Sequence, residues 1–182
     1  MKKRIFGIAA LLALLAGCAP WVMTTGKEFE DKPRGFAAVL PDGWMRYTMG
    51  QDFLMTRDGV VLNEIAVQKM KFKDDLEFTK KKFRQDMLPV DLADAEIDNF
   101  KSNGGIGKFA VLENAPVTVG GQDGFRLAFS YETVSGLKVK GIHCGFIHKD
   151  WVYRIRFTGA AQHYYGRDLP AFERFIQSFR LL

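Results

Sequence analysis

From Gly107 to Phe157 the chain is written almost entirely in period two, and that pattern decides what it can fold into. Phe125, Leu127, Phe129 and Tyr131 alternate with Arg126, Ala128, Ser130 and Glu132, as expected of a strand with one buried and one wet face. Ser135-Gly136 turns the chain into Leu137 to His148, whose middle, Ile142 to Ile147, is apolar on both parities and so reads as a central strand covered on both sides. Lys149-Asp150 turns it again into Trp151, Tyr153, Ile155 and Phe157, while Gly107 to Glu113 and Pro116 to Val119 lead into this run from above. Such a chain is committed to an antiparallel meander that needs helices to cover it.

The flanking segments supply candidates for that cover. Phe36 to Leu40 reads as a strand stopped by Pro41-Asp42-Gly43, and Phe53 to Thr56, Arg57-Asp58-Gly59 and Val60 to Phe72 as a hairpin. Leu76, Phe83 and Met87 predict a helix that opens at Asp75 and ends at Pro89, and Ala93, Ile97 and Phe100 a second from Asp91 to Asn103-Gly104-Gly105. Asp168 reads as the N-cap of a last helix with Pro170 in its first turn and a stripe of Leu169, Phe172, Ile176 and Phe179. The order predicts an α+β fold: an antiparallel sheet flanked by helices.

The N-terminus carries an address. Lys2-Lys3-Arg4, the apolar run Ile5 to Ala16 and Leu15-Ala16-Gly17-Cys18 resemble a bacterial lipoprotein signal peptide. The run is too short to span ~30 Å of hydrocarbon, which takes about 20 residues. The resemblance implies cleavage between Gly17 and Cys18, acylation of Cys18, and a protein tethered on the periplasmic side of the envelope. It also implies the outer membrane in a diderm, because Ala19 stands where Asp would signal inner-membrane retention. Residues 1–17 are thus read as the signal peptide, 18–34 as the lipidated cysteine and a tether, and 35–182 as one domain. A flexible tether of that length would reach ~20 to 25 Å.

Cleavage also changes the charge. The net +5 of the whole chain falls to +2 once Lys2, Lys3 and Arg4 are gone, so basicity is no argument for nucleic acid as a partner. With Cys18 acylated, Cys144 has no disulfide partner in the chain.

Three stretches carry a wider likeness. Phe36 to Trp44 with its Pro-Asp-Gly-Trp, the run Val117-Thr-Val-Gly-Gly-Gln-Asp-Gly-Phe-Arg-Leu and the closing Phe172-Glu-Arg-Phe-Ile-Gln-Ser-Phe resemble the PsbP-like superfamily. That superfamily includes the extrinsic photosystem subunit, Ran-binding Mog proteins and bacterial envelope lipoproteins. The resemblance implies an α-β-α sandwich that binds proteins or membranes and usually performs no chemistry.

Candidate chemistry is thin. On a strand Cys144 and His143 point to opposite faces, and His148 shares the Cys144 face about 13 Å away, so neither histidine meets the thiol directly. Cys144 therefore reads as structural. Gly104-Gly105-Ile106-Gly107 lacks the phosphate-loop fingerprint, His163 beside Tyr164-Tyr165 reads as ordinary helix-end polarity, and Lys80-Lys81-Lys82 as a solvated surface. No metal-ligand spacing and no cofactor motif occur. Arg126, Arg154 and Arg156 on the polar parity of two strands, with Lys138 and Lys140 on that of the strand between, are the candidate binding surface: five cations on one face, suited to an envelope protein or an anionic polymer. The expected function is a membrane-tethered, non-catalytic binding or scaffolding module. A carrier of an apolar ligand such as a lipid and a Cys144-dependent enzyme are the alternatives; the oligomeric state is left open.

The address gives the first prediction. Labelled palmitate is expected to enter the wild-type protein, and Cys18→Ala to abolish both labelling and processing. Normal cleavage of the Cys18→Ala protein would show that the signal has been misread.

Overall fold

A computed structural model describes residues 20–182; the expected signal peptide and acylation site, residues 1–17 and Cys18, lie outside the described residues, as does Ala19. Eleven strands and two helices follow one another as β1 (Trp21–Met23), β2 (Glu28–Asp31), β3 (Phe36–Val39), β4 (Met45–Tyr47), β5 (Phe53–Thr56), β6 (Asn63–Lys71), α1 (Pro89–Lys101), β7 (Ile106–Val119), β8 (Gln122–Thr133), β9 (Lys138–His148), β10 (Trp151–Ala160), α2 (Tyr164–Ser178) and β11 (Arg180–Leu181). Eight of the strands form one antiparallel sheet in the order β1-β4-β5-β6-β10-β9-β8-β7, and β11-β3-β2 form a second, small one. None of the described helices is long and apolar enough to cross a membrane.

The expected α-β-α sandwich forms because the central strands are apolar on both parities. Phe53, Ile65, Val67, Ile142, Cys144, Phe146, Ile155 and Phe157 meet Phe172 and Phe175 of α2, with Phe36 of the small sheet, in one core. On the other face Phe125, Leu127, Phe129 and Val152 meet Leu92, Ala93 and Phe100 of α1, and Leu76 and Phe83 of the segment before it.

Close packing in the meander relies on two glycines. Gly141 stands directly opposite Phe129, and Gly145 opposite Phe125, in the β8–β9 register. A Cβ on Gly141 would come within 2.4 Å of the Phe129 ring and 2.8 Å of the Phe157 carbonyl oxygen, and one on Gly145 within 2.5 Å of the Phe125 ring. Each ring lies over the bare backbone of its neighbour, a device that fills the space a missing side chain leaves.

Four expectations need correction. Residues 18–34 are not all tether: β1 pairs with β4, and β2 with β3. These strands are three and four residues long, too short to show alternation in the sequence, and Phe29 is drawn in by Phe53, 6.0 Å away, and by Arg46 over its ring at 4.5 Å. The folded unit accordingly begins well before residue 35.

The helix expected from Asp75 does not form. Leu76 and Phe83 are buried, but from an irregular segment in which Leu76 N–H donates to the Lys81 carbonyl and Lys80 takes a positive φ of 58°. The buried Asn99 of α1 accepts the N–H groups of Phe78 and Thr79, so a tertiary partner replaces the helical ladder.

Pro89 begins a helix where the sequence suggested an end. It sits at the first position of α1, where its missing N–H costs nothing, and Asp91 accepts the Leu88 N–H at 3.0 Å. Asp168 is no N-cap either, for α2 begins at Tyr164. Its carboxylate is buried and takes bonds from Arg167 and from Asn63 of β6, at 2.7 Å. Asn63 also accepts the N–H groups of Arg57 and Asp58, so one buried network ties the β5–β6 loop to α2.

The glycine pairs yield a test. Gly141→Ala should destabilise the fold by about 1 to 3 kcal/mol or more, because carbonyl and ring both block the methyl. Combined with Phe129→Leu, the cost should fall below the sum of the two single changes in denaturant melts; simple additivity would mean that ring and glycine are independent.

Candidate functional site

The five candidate cations do not share a face. Arg126 stands opposite Cys144, and Cys144 opposite Ile155, so Arg126 points to the α2 side together with Lys138 and Lys140. Arg154 and Arg156 alternate with Tyr153, Ile155 and Phe157 and point to the α1 side. The polar ends of β9 carry the same parity as its apolar middle, so lysines 138 and 140 lie in line with Ile142 and Cys144 rather than with His143. The single-surface reading is therefore overturned, and the five divide three and two.

The arginines are spoken for. Arg126 bonds Glu173 of α2 at 2.6 Å and Arg156 bonds Glu64 of β6 at 3.0 Å. Arg154 is the most deeply placed: its Nε and Nη2 donate to the two carboxylate oxygens of Glu96, the latter at 2.8 Å, and Nη1 donates to Gln68. Glu96 itself is fully buried on α1, and His143 Nε2 lies 3.5 Å from its Oε1, an ion-pair distance rather than a well-formed hydrogen bond. Both ring nitrogens of His143 are buried without a hydrogen-bond partner.

Burial alone would push the Glu96 carboxyl up, but Arg154 and His143 more than offset it and hold it at about 2. For His143 burial wins: it drives the imidazole below its usual range against the pull of Glu96, so the ring is neutral at pH 7. The sheet face under α1 thus carries a bidentate carboxylate–guanidinium pair and a neutral histidine, beside a cavity of about 170 Å³ that also meets Asp52, Glu77 and Asn99. Glu96 was not among the candidates from sequence. Its signal was an acid lying within the apolar stripe Ala93, Ile97 and Phe100, with an arginine on a strand whose two faces were both to be covered.

Lys138 and Lys140 remain as free cations. Both are exposed, and neither has an ion-pair partner among the described residues. They line a groove of about 720 Å³, whose other walls are Leu62, Gly136, Leu137 and the stretch from Ala160 to Tyr164, with no acidic residue in that lining. Lys140 Nζ also sits 5.9 Å from the Tyr165 ring centroid. Cys144, by contrast, is sealed in the core, and burial pushes its thiol up to about 12, so it is no nucleophile at neutral pH.

Two predictions follow from the buried pair. Arg154→Met or Glu96→Leu alone should cost about 3 to 5 kcal/mol, because each strands a charge in the core, and the double variant should cost less than either. The pH profile has a fixed sign. Both groups have folded pKa values below their unfolded ones, so the unfolded chain binds more protons and stability falls as pH drops, first below about 6.5 through His143 and again below about 4.5 through Glu96. Melts between pH 8 and 5 should lose the upper step in His143→Phe; an unchanged profile would show that His143 titrates alike in both states.

No family model matches the chain. Nor does any curated protein match it by sequence. Solved structures do resemble it. The solution structure of cyanobacterial PsbP from Synechocystis superposes with a TM-score of 0.60 at 14% identity over 91% of this chain and 98% of that one. The Saccharomyces cerevisiae Ran-binding protein Mog1p gives 0.56 at 12% identity over 88% and 96%. A structure from Bacteroides thetaiotaomicron gives 0.55 at 13% over 87% of this chain and 49% of that one. At such identities the likeness is one of fold: this chain has the antiparallel α+β fold of the PsbP and Mog1 structures.

Proposed function

We propose that the protein is a lipid-anchored module on the periplasmic side of the envelope, held through acylated Cys18, that binds an anionic partner in the Lys138–Lys140 groove and performs no chemistry of its own. The observation that carries the reading is the groove: two unpaired lysines over an apolar floor with no acid in its lining. Neither lysine makes a contact ion pair among the described residues: Glu132, opposite Lys138 across β8–β9, is bonded by Lys108 instead, so an incoming carboxylate or phosphate would supply the contact that both lysines lack. The partner class is an acidic envelope protein or an anionic polymer, and the outer membrane is the proposed site. Mog1p, which shares the fold, is a Ran-binding protein, so the architecture is compatible with protein recognition.

The apolar floor favours one second reading, a carrier of an apolar ligand. Leu62, Leu137, Ala160 and Tyr164 could hold a chain whose charged end meets the lysines. Mass spectrometry of the protein taken from native membranes decides between them, because a carrier would retain stoichiometric lipid besides its anchor.

The main reading is tested by photo-crosslinking from position 137 in the full chain in its own envelope, with position 101 on α1 as the control. A discrete adduct from 137 alone is expected, reduced about tenfold by Lys138→Gln with Lys140→Gln if each lysine contributes about 0.7 kcal/mol. Equal adducts from both positions, or an adduct indifferent to the lysines, would remove the groove as the binding surface.

A further inference from the structure

We infer that the outer edge of the large sheet at β1, with Trp21, Tyr47 and Met49, is the surface that rests on the membrane; this depends on the reading of Cys18 as the acylated residue. The argument is one of reach. Cys18 precedes Pro20 by two residues, so its Cα lies within about 7.6 Å of the Pro20 Cα, at 3.8 Å per residue. Pro20 is fixed in turn: its carbonyl accepts the Thr48 N–H at 2.8 Å and the Thr48 hydroxyl at 3.1 Å. The polar layer of a bilayer is about 5 to 8 Å deep on each side. A leash no longer than that layer cannot hold the domain clear of it.

The side chains around Thr48 suit that position. The Trp21 and Tyr47 rings pack with centroids 5.0 Å apart, and both are half-buried. Met49 is 69% exposed, Met23 65% and Val22 46%. β1 is an edge strand that pairs with β4 alone, so none of the described residues pairs with its outer backbone, and Met23, Val22 and Met49 stay exposed beside it. Tryptophan and tyrosine with exposed aliphatic neighbours, beside an acyl anchor, match the amphipathic depth of the headgroup region. The Lys138–Lys140 groove opens from β9 and β10, five strand spacings across the sheet from β1, or roughly 24 Å at ~4.8 Å each. Seating β1 on the bilayer therefore leaves the groove facing soluble partners.

The test uses the processed full chain in phosphatidylcholine vesicles brominated at shallow acyl positions. Part of the tryptophan emission is expected to be quenched, and that part to be missing from Trp21→Phe, since Trp44 is sealed in the core and the half-buried Trp151 lies on β10, four strands across the sheet from β1. An environment-sensitive dye on Met49→Cys should shift to the blue on reconstitution; Cys144 is buried and leaves the label selective. Intact mass of the same sample reads the acylation separately. Acylated protein with unquenched Trp21 and no dye shift overturns the membrane-facing edge while leaving the anchor in place. Unacylated protein removes the anchor and this inference with it, and a dimer crosslinked through Met23→Cys with Trp21 unquenched would assign the edge to a second copy instead.

Discussion

A strand buried on both faces can hold a charge only if a covering layer or a neighbouring strand brings the countercharge, and β10 is such a strand. Its odd residues pack on α2 and the small sheet, and its even residues face α1. Arg154 lies among the latter, so α1 must present Glu96 in register with it, and Gln68 of the neighbouring β6 takes the remaining donor. The pair is weak as a source of net stability, since two desolvated charges at best repay their own burial. Its effect is selective: a shifted or rotated α1 would leave both charges unpaired in the core. Placement of α1 in turn fixes Asn99, and Asn99 holds the irregular segment that carries Leu76 and Phe83 into the same core.

Much of this architecture was legible because the long strands obey period two and their turns carry Gly, Asp and Ser. Gly120 and Gly121 both take positive φ, at 58° and 78°, and close the β7–β8 hairpin in two residues, as their sequence suggests. What failed was local structure decided by tertiary partners. Leu76, Phe83 and Met87 stand at spacings that suit a helix, yet the same residues reach the core from a loop once Asn99 supplies the hydrogen bonds. Pro89 carries the same chemistry at the end of one helix and the start of the next, and only the presence or absence of the first helix distinguishes the two.

The candidate surface failed for a related reason. Parity within a strand is absolute, but which parity is polar can change along it: β9 is wet at Lys138 and Lys140 and dry at Ile142 and Cys144 on one and the same face. Reading the polar parity separately at each end placed five cations together that the sheet separates. Arg154 and Arg156 then became cations of a covered layer, matched by Glu96 and Glu64, and only the two lysines that project past the end of α2 stayed free. A charge count on a strand is thus informative about binding only after the covering elements are placed.

With Cys18 acylated as proposed, the ordered segment before Phe36 governs how the domain stands relative to its anchor. A flexible tether would decouple orientation from attachment, and any face of the domain could meet the membrane. Two hydrogen bonds from Thr48 to the Pro20 carbonyl and the three-residue ladder of β1 on β4 remove that freedom. Orientation then follows from sheet order alone: β1 is outermost on one side, and the groove lies toward the other. On that proposal this three-residue strand with one neighbour is the element on which presentation of the groove depends, and fraying of β1 would loosen the domain from its anchor without touching either core.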